Sequence, residues 1–186
     1  SRRRGELMRD AAENPGAMLA VIAARREVEA IVEAAGGDDV VVANHNSPRQ
    51  TVLSGSIDAI ERISARLQAE GLRTKRLPVS TAFHSPIVAG ACAPFADFLS
   101  NLAIEAPRIP VYANSTARVM PDDPDAIRAT LSQQIARPVR YVELIEAMVA
   151  SGVRTFVEVG PGTIQKRLVG AILEDRPHCA VALDGG

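Results

Sequence analysis

Between residues 17 and 80 the apolar pattern changes period in a fixed order that few folds accommodate. Ala17 to Ala23 (AMLAVIA) is an apolar run of strand length. Arg25 to Ala35 then sets Val28, Ile31, Val32 and Ala35 at helical spacing, and Gly36-Gly37 closes the segment. Val40 to Asn44 reads as a second strand, Asn46-Ser47-Pro48 as a turn and Gln50 to Ser54 as a third strand. Ser56 and Asp58 open a helix through Ala69, striped by Ile57, Ile60, Ile63 and Leu67. Gly71 ends it, and Leu72 to Ser80 reads as a fourth strand. The order β-α-β-β-α-β predicts a ferredoxin-like unit, with two helices on one face of an antiparallel sheet.

The flanks have a different texture. Arg2 to Ala12 (RRRGELMRDAA) places Leu7, Met8, Ala11 and Ala12 on one helical face, and Asn14-Pro15-Gly16 stops it. Beyond residue 80 the pattern predicts helices over Ile87 to Leu102, Asp125 to Ile135 and Val142 to Ser151. A further helix follows Gly160-Pro161-Gly162 and runs to Leu173. Strands are expected at Arg108 to Asn114, Thr155 to Val159 and His178 to Leu183. Strand–helix alternation of this kind predicts a parallel sheet with helices on its faces, part of an α/β domain without its first strands. The chain thus divides into residues 1–16, 17–80 and 81–186.

With 47% hydrophobic but only 3% aromatic residues, the core must be built from Ala, Val, Ile and Leu. The net charge of −1 argues against nucleic acid or a membrane surface as the main partner. No apolar run is long enough to span a bilayer, and the start of the chain does not read as a signal peptide. Cys92 and Cys179 lack metal or redox spacing and read as reduced thiols of a cytoplasmic protein, Cys92 as a buried helix residue.

The chemistry-bearing string is PVSTAFHSP, Pro78 to Pro86. His84 falls between an apolar β-rich run and the helix that begins after Pro86. A histidine there is held by backbone on both sides while its ring can face a cleft, which suits a general base. Its partner is missing from view: no G-x-S-x-G nucleophile motif occurs in the 186 residues. Among Arg2, Arg3 and Arg4, any could be solvated surface charge. Asn44, His45 and Asn46 read as turn residues, of which some could face a cleft. His178 reads as surface. The lone Gly-Pro-Gly is weak as a phosphate loop and reads as a tight strand-to-helix turn.

Four strings occur in order: RGELM (Arg4 to Met8), ANHNSPRQTVLSG (Ala43 to Gly55), PVSTAFHSP and VEVGPG (Val157 to Gly162). Together they resemble the malonyl-CoA:acyl-carrier-protein transacylases and the acyltransferase domains of polyketide and fatty-acid synthases. The resemblance runs from Arg4 onward. It implies an α/β-hydrolase-like large subdomain carrying an inserted ferredoxin-like small subdomain, with the active site in the cleft between them. It also implies a ping-pong transfer of malonyl from CoA, through a serine, to the phosphopantetheine thiol of an acyl carrier protein, with no bound cofactor and no metal.

By that resemblance His84 is the catalytic histidine, and Arg4 binds the malonyl carboxylate through its planar fork. Gln134 matches the position whose backbone carbonyl orients the histidine, with Gln133 as a competing register. Asn44 is a candidate cleft residue. Phe83 resembles the malonyl-selective Ala-Phe-His form, in which a phenyl ring fills the space of an α-methyl group, while Thr81 departs from the usual first letter. That departure resembles iterative, polyunsaturated-fatty-acid or enediyne synthases. The serine is expected on an upstream segment that this chain needs for order. Two other readings stand beside transfer: a hydrolase that clears acyl groups from carrier proteins, and a non-catalytic docking module.

Overall fold

The computed structural model describes residues 2–10 and 15–185. Helix α1 (Arg2–Asp10) precedes strand β1 (Gly16–Val21), helix α2 (Arg25–Ala34), strands β2 (Val40–Ser47) and β3 (Gln50–Ser56), helix α3 (Ile57–Ala69) and strand β4 (Thr74–Arg76). Ala11, Ala12 and Asn14, invoked above for the end of the first helix, lie outside the described residues. The sheet order β4-β1-β3-β2 is antiparallel throughout, as the ferredoxin-like pattern requires. β1 is central and buried along its whole length, because both of its faces are covered. Ala17, Leu19 and Val21 pack with Leu53 under α2 and α3, against Val28, Ile60, Ile63 and Leu67. Each such large side chain contributes roughly 1.5–3 kcal/mol by leaving water. Met18 and Ala20 face the other way, against Ala43, Val52, Leu77, Val79 and Phe83.

That second layer explains two departures from the sequence pattern. The fourth strand stops at Arg76 rather than Ser80. Pro78 has no N–H to give the ladder. Leu77 N–H donates to the Met18 carbonyl (2.9 Å) and the Ser80 carbonyl accepts from Gly16 N–H (3.3 Å), so the segment stays beside β1 without a regular ladder while Leu77, Val79 and Phe83 pack on the open face of the sheet. The second strand, by contrast, runs on through Asn44, His45 and Asn46 to Ser47. These are therefore strand residues, and the hairpin turn is Pro48-Arg49, closed by the Ser47–Gln50 pair.

The remainder begins with a 3-10 helix over Pro86–Ala91 and continues as α4 (Cys92–Ser100). A single α-helix from Ile87 to Leu102 is excluded by Pro94, which lacks the N–H that would bond to Gly90 and would clash with its carbonyl. Two short strands, β5 (Tyr112–Ala113) and β6 (Arg118–Val119), form a hairpin where a strand over Arg108 to Asn114 was expected. Pro110 removes a donor from that segment. Helix α5 (Pro124–Gln133) is capped by the Asp123 carboxylate on Ala126 N–H (2.8 Å). Strand β7 (Val139–Arg140) adds a fifth, parallel strand beside β2, at Asn44 and His45. It joins the small sheet to the flanking layer. Helix α6 (Tyr141–Ala150), strand β8 (Thr155–Pro161), helix α7 (Ile164–Leu173) and strand β9 (Cys179–Asp184) complete the chain.

β8 and β9 are parallel neighbours. Phe156 and Ala180 pack on α6 and α7, whereas Val157, Val159, Val181 and Leu183 face outward and are exposed. Cys92 is half-buried at the start of α4 rather than buried, and Cys179 is exposed. No described helix is long and apolar enough to cross a membrane.

Candidate active site

His84 occupies a tight turn between the segment that follows β4 and the 3-10 helix. Its φ is 59°, the left-handed region that a non-glycine residue adopts only when its surroundings enforce it. Two neighbours do so. Buried Ser85 donates its hydroxyl to the Ala82 carbonyl (2.6 Å) and accepts from Ile87 N–H (3.3 Å). On the other side, Gly16 opens β1 against the turn. A Cβ at Gly16 would lie 2.5 Å from both the Cβ and the backbone nitrogen of Ala82, so only glycine allows that approach.

The turn aims the imidazole at the end of α5. His84 Nδ1 lies 3.3 Å from the Gln134 carbonyl and 3.0 Å from the Arg137 carbonyl. Two carbonyls can only accept, so Nδ1 carries the proton and Nε2 keeps its lone pair. Burial lowers the histidine pKa below 6.5. The two carbonyls oppose that shift, and the nearby Arg4 charge adds to it, but desolvation prevails. The ring is a neutral, oriented base near neutral pH.

Arg4 arrives from α1, whose Leu7 and Met8 bury against Val88, Ala91, Phe95, Leu99 and Ile135. One turn before that anchor, Arg4 points to the same side. Its Nη2 donates to the side-chain oxygen of Gln134. Burial lowers its pKa from the ordinary arginine value, and its Nε–H is buried without an acceptor. Among the described residues no carboxylate lies within ion-pair distance of it.

Gln134 thus touches both groups, Arg4 through its side chain and His84 through its backbone. Arg4, Asn44 and Gln134 share the wall of a cleft of about 600 Å³, together with Asn46, Asn114 and Tyr141. The Tyr141 hydroxyl, half-buried and facing Glu158, has a pKa pushed up to about 12 and stays a phenol. His84 and Phe83 are not part of that wall. Phe83 lies behind the turn, packed against both the Leu7–Met8 cluster and the Met18–Val52 layer, so it ties the histidine turn to both halves of the molecule.

The other candidates fall elsewhere. His45 Nδ1 is 3.2 Å from the Glu143 carboxylate, which also approaches Arg25 (3.4 Å) and Arg140 (3.9 Å). His178 holds the Arg176 carbonyl (2.8 Å) and is half-buried. At the Gly-Pro-Gly turn the Glu158 carboxylate accepts from Gln165 N–H (3.0 Å) and Lys166 N–H (2.9 Å). The N-terminus of α7 is therefore satisfied by the chain's own anion. The Arg137 carbonyl was not anticipated, since a backbone acceptor leaves no mark in residue identity. Asn114 and Tyr141 likewise carried no distinguishing pattern. Among the described residues no cluster of metal-ligating side chains occurs.

This combination, a backbone-held histidine joined through Gln134 to a half-buried arginine in a two-subdomain α/β fold, fits an acyl-group transferase. The family model described as "Acyl transferase domain" matches residues 2–182, and the chain belongs to that family. It is 35% identical over 180 residues to the spectinabilin polyketide synthase system protein NorB of Streptomyces orinoci, covering 97% of this chain and 8% of that protein. It is 36% identical over 175 residues to the malonyl CoA-acyl carrier protein transacylase of Escherichia coli, covering 92% of this chain and 56% of the relative. The crystal structure of an acyl-carrier-protein S-malonyltransferase from Burkholderia pseudomallei superimposes with a TM-score of 0.91 at 30% identity, over 100% of this chain and 61% of that one. The acyltransferase domain from the second module of the salinomycin polyketide synthase gives 0.86 at 34% identity, over 98% and 42%. The chain spans a little over half the length of the malonyl transacylases it matches.

Proposed function

We propose that this chain supplies the base and the carboxylate clamp of a malonyl-transferring acyltransferase whose serine lies on an upstream segment. Residues 17–80 form its small subdomain, and residues 1–16 and 81–186 belong to its large one. In the first half-reaction His84 Nε2 takes the serine proton as Oγ attacks the thioester carbonyl of malonyl-CoA. The imidazolium returns that proton to the departing CoA thiolate. In the second, Nε2 takes the proton of the phosphopantetheine thiol of an acyl carrier protein. The sulfur attacks the acyl-serine ester, and the serine oxygen leaves with the proton. Nδ1–H stays on the Gln134 and Arg137 carbonyls throughout, so the ring needs no acidic third member to keep its tautomer. No resident cofactor enters this route; malonyl-CoA and the carrier's arm are substrates.

The observation that carries this reading is Arg4: a desolvated guanidinium with an unpartnered Nε–H, joined through one residue to the catalytic base. A planar donor set of this kind suits an acyl group that bears a carboxylate. A hydrolase of neutral acyl chains has no use for it, and a docking module has none for a half-buried, oriented histidine. Phe83 stiffens the base's turn between the two layers, so any part it has in acyl selection runs through the position of that turn rather than through its ring in the cleft. The test is malonyl transfer to a carrier protein by this chain together with its serine-bearing segment. His84→Ala should lower kcat by about 10²–10⁴-fold. Arg4→Ala should lower the preference for malonyl over acetyl. Unchanged transfer by His84→Ala would overturn the assignment.

A further inference from the structure

Gln134 makes two contacts of different chemical kinds. Its backbone carbonyl, beyond the last turn of α5, is one of the acceptors that hold His84. Its side-chain oxygen accepts from Arg4 Nη2 across a separation of 130 residues. Only the second contact depends on the residue being glutamine. We propose that the Gln134 side chain is a specificity-determining positioning group, which holds the Arg4 fork in register with the base and so selects acyl groups that end in a carboxylate.

The argument rests on charge and on geometry. Arg4 is a half-buried cation, its Nε–H fully buried, with no anionic partner among the described residues, and a cation so placed favours an incoming anion. A neutral amide oxygen can fix the guanidinium through one donor without neutralising it, leaving its remaining donors for an acyl carboxylate. A glutamate at the same position would fill the role of the substrate's carboxylate and close the clamp on itself. An apolar residue of similar length would leave a flexible side chain free to swing, and a clamp that must be ordered on binding loses affinity. The surroundings favour a fixed arrangement. Ile135, the next residue, is fully buried in the cluster that anchors α1 through Leu7 and Met8. Arg4 and Gln134 are therefore mounted on one packed unit. The carboxylate end of the substrate and the proton acceptor at its thioester end are thereby held at a set distance, the condition for a near-attack geometry.

This inference rests on the assignment of Arg4 above, and the experiment separates the two. Malonyl-CoA and acetyl-CoA are compared as donors, with the complete acyltransferase formed by this chain and its serine-bearing segment. Arg4→Ala, Gln134→Met and Gln134→Glu are measured beside the parent. Gln134→Met should lower the malonyl-to-acetyl ratio of kcat/KM by about tenfold, the scale of one charge-assisted hydrogen bond. The change should appear in KM for malonyl-CoA. Gln134→Glu should lower the ratio by about 100-fold, because it removes the clamp's charge as well. The acid limb of kcat/KM should stay in place in Gln134→Met, since the carbonyl that holds His84 is backbone. Equal losses for the two donors, carried by kcat, would make the side chain merely structural and overturn the proposal. A ratio lowered by Arg4→Ala but unmoved by either Gln134 variant would overturn it while sparing Arg4. A ratio unmoved by Arg4→Ala would overturn both. Circular dichroism of each variant identifies any loss of fold, and Gln134→Glu, nearly isosteric, serves as the measurement should Gln134→Met fail to fold.

Discussion

His84 Nδ1 lies 3.0 Å from the carbonyl oxygen of Arg137, so the ring is oriented by polypeptide backbone and not by a carboxylate. A carboxylate would raise the histidine pKa, whereas two carbonyls raise it less than burial lowers it. The base therefore stays neutral to lower pH than an ordinary histidine. The acid limb of kcat/KM should fall below 6.5, and Arg4→Ala, which removes a nearby positive charge, should move it upward. The same shift bears on stability. The unfolded chain binds a proton at this residue before the folded one does, so the contribution is complete above 6.5 and is lost as pH falls from there through the depressed folded value. A pH–rate profile of parent and Arg4→Ala checks the first point. An acid limb at or above 6.5 in the parent would contradict it.

The approach of Gly16 to Ala82 gives a second prediction. A methyl at residue 16 meets backbone, not the yielding tip of a side chain. Gly16→Ala should cost about 1–3 kcal/mol in chemical denaturation, the usual price of overpacking. It should also lower kcat, because the displaced atoms belong to the turn that carries His84. Loss of stability with unchanged kcat would show that the turn repositions independently of β1.

The ferredoxin-like unit was legible because its elements are long enough to show a period. The stripe of α3 and the continuous burial of β1 both follow from residue type at fixed spacing. Errors arose where a backbone donor or a tertiary neighbour decided the outcome. Pro78 interrupts the ladder of an apolar, strand-like run, and Asn44 to Asn46 lie in a strand despite their turn chemistry, because β3 and β7 pair with that strand on either side. β6 and β7 are each two residues long, too short to carry a period. At the site, His84 and Arg4 lie in the ordered strings, whereas Gln134 was assigned by family position alone, with Gln133 as a competing register. That Gln134 joins the other two depends on a contact across 130 residues, which no local pattern contains.

Glu143 is the polar counterpart of the Phe83 contact. It stands at the first turn of α6 and draws His45 from β2, Arg25 from α2 and Arg140 from β7 to one carboxylate. These partners straddle the two-residue pairing that links the sheet to the later layer, downstream of the carbonyls that hold His84. Glu143→Gln should cost about 1–2 kcal/mol, more than an exposed pair, since the His45 and Glu143 side chains are only 16% and 29% exposed. Differential denaturation of parent and variant measures it. A cost shared by His45→Phe, with the double variant no worse than either single one, would show that the pair acts as a unit.

The outward face of β8 and β9 carries the last prediction. Val159 is 81% exposed and Leu183 67%, with Val157 and Val181 beside them on a two-stranded parallel sheet. Parallel sheets are stable when both faces are covered, and a bare apolar face with an open edge recruits other chains. If the serine-bearing segment supplies the cover, this chain alone should bind a hydrophobic dye and self-associate, and adding the segment in trans should abolish both. Val159→Lys should improve solubility of the isolated chain but weaken that complementation. Light scattering and dye fluorescence, with and without the segment, decide it. A monomeric isolated chain with a cooperative melt and no dye binding would show that α6 and α7 suffice to hold the sheet, and the requirement for a covering segment would fall.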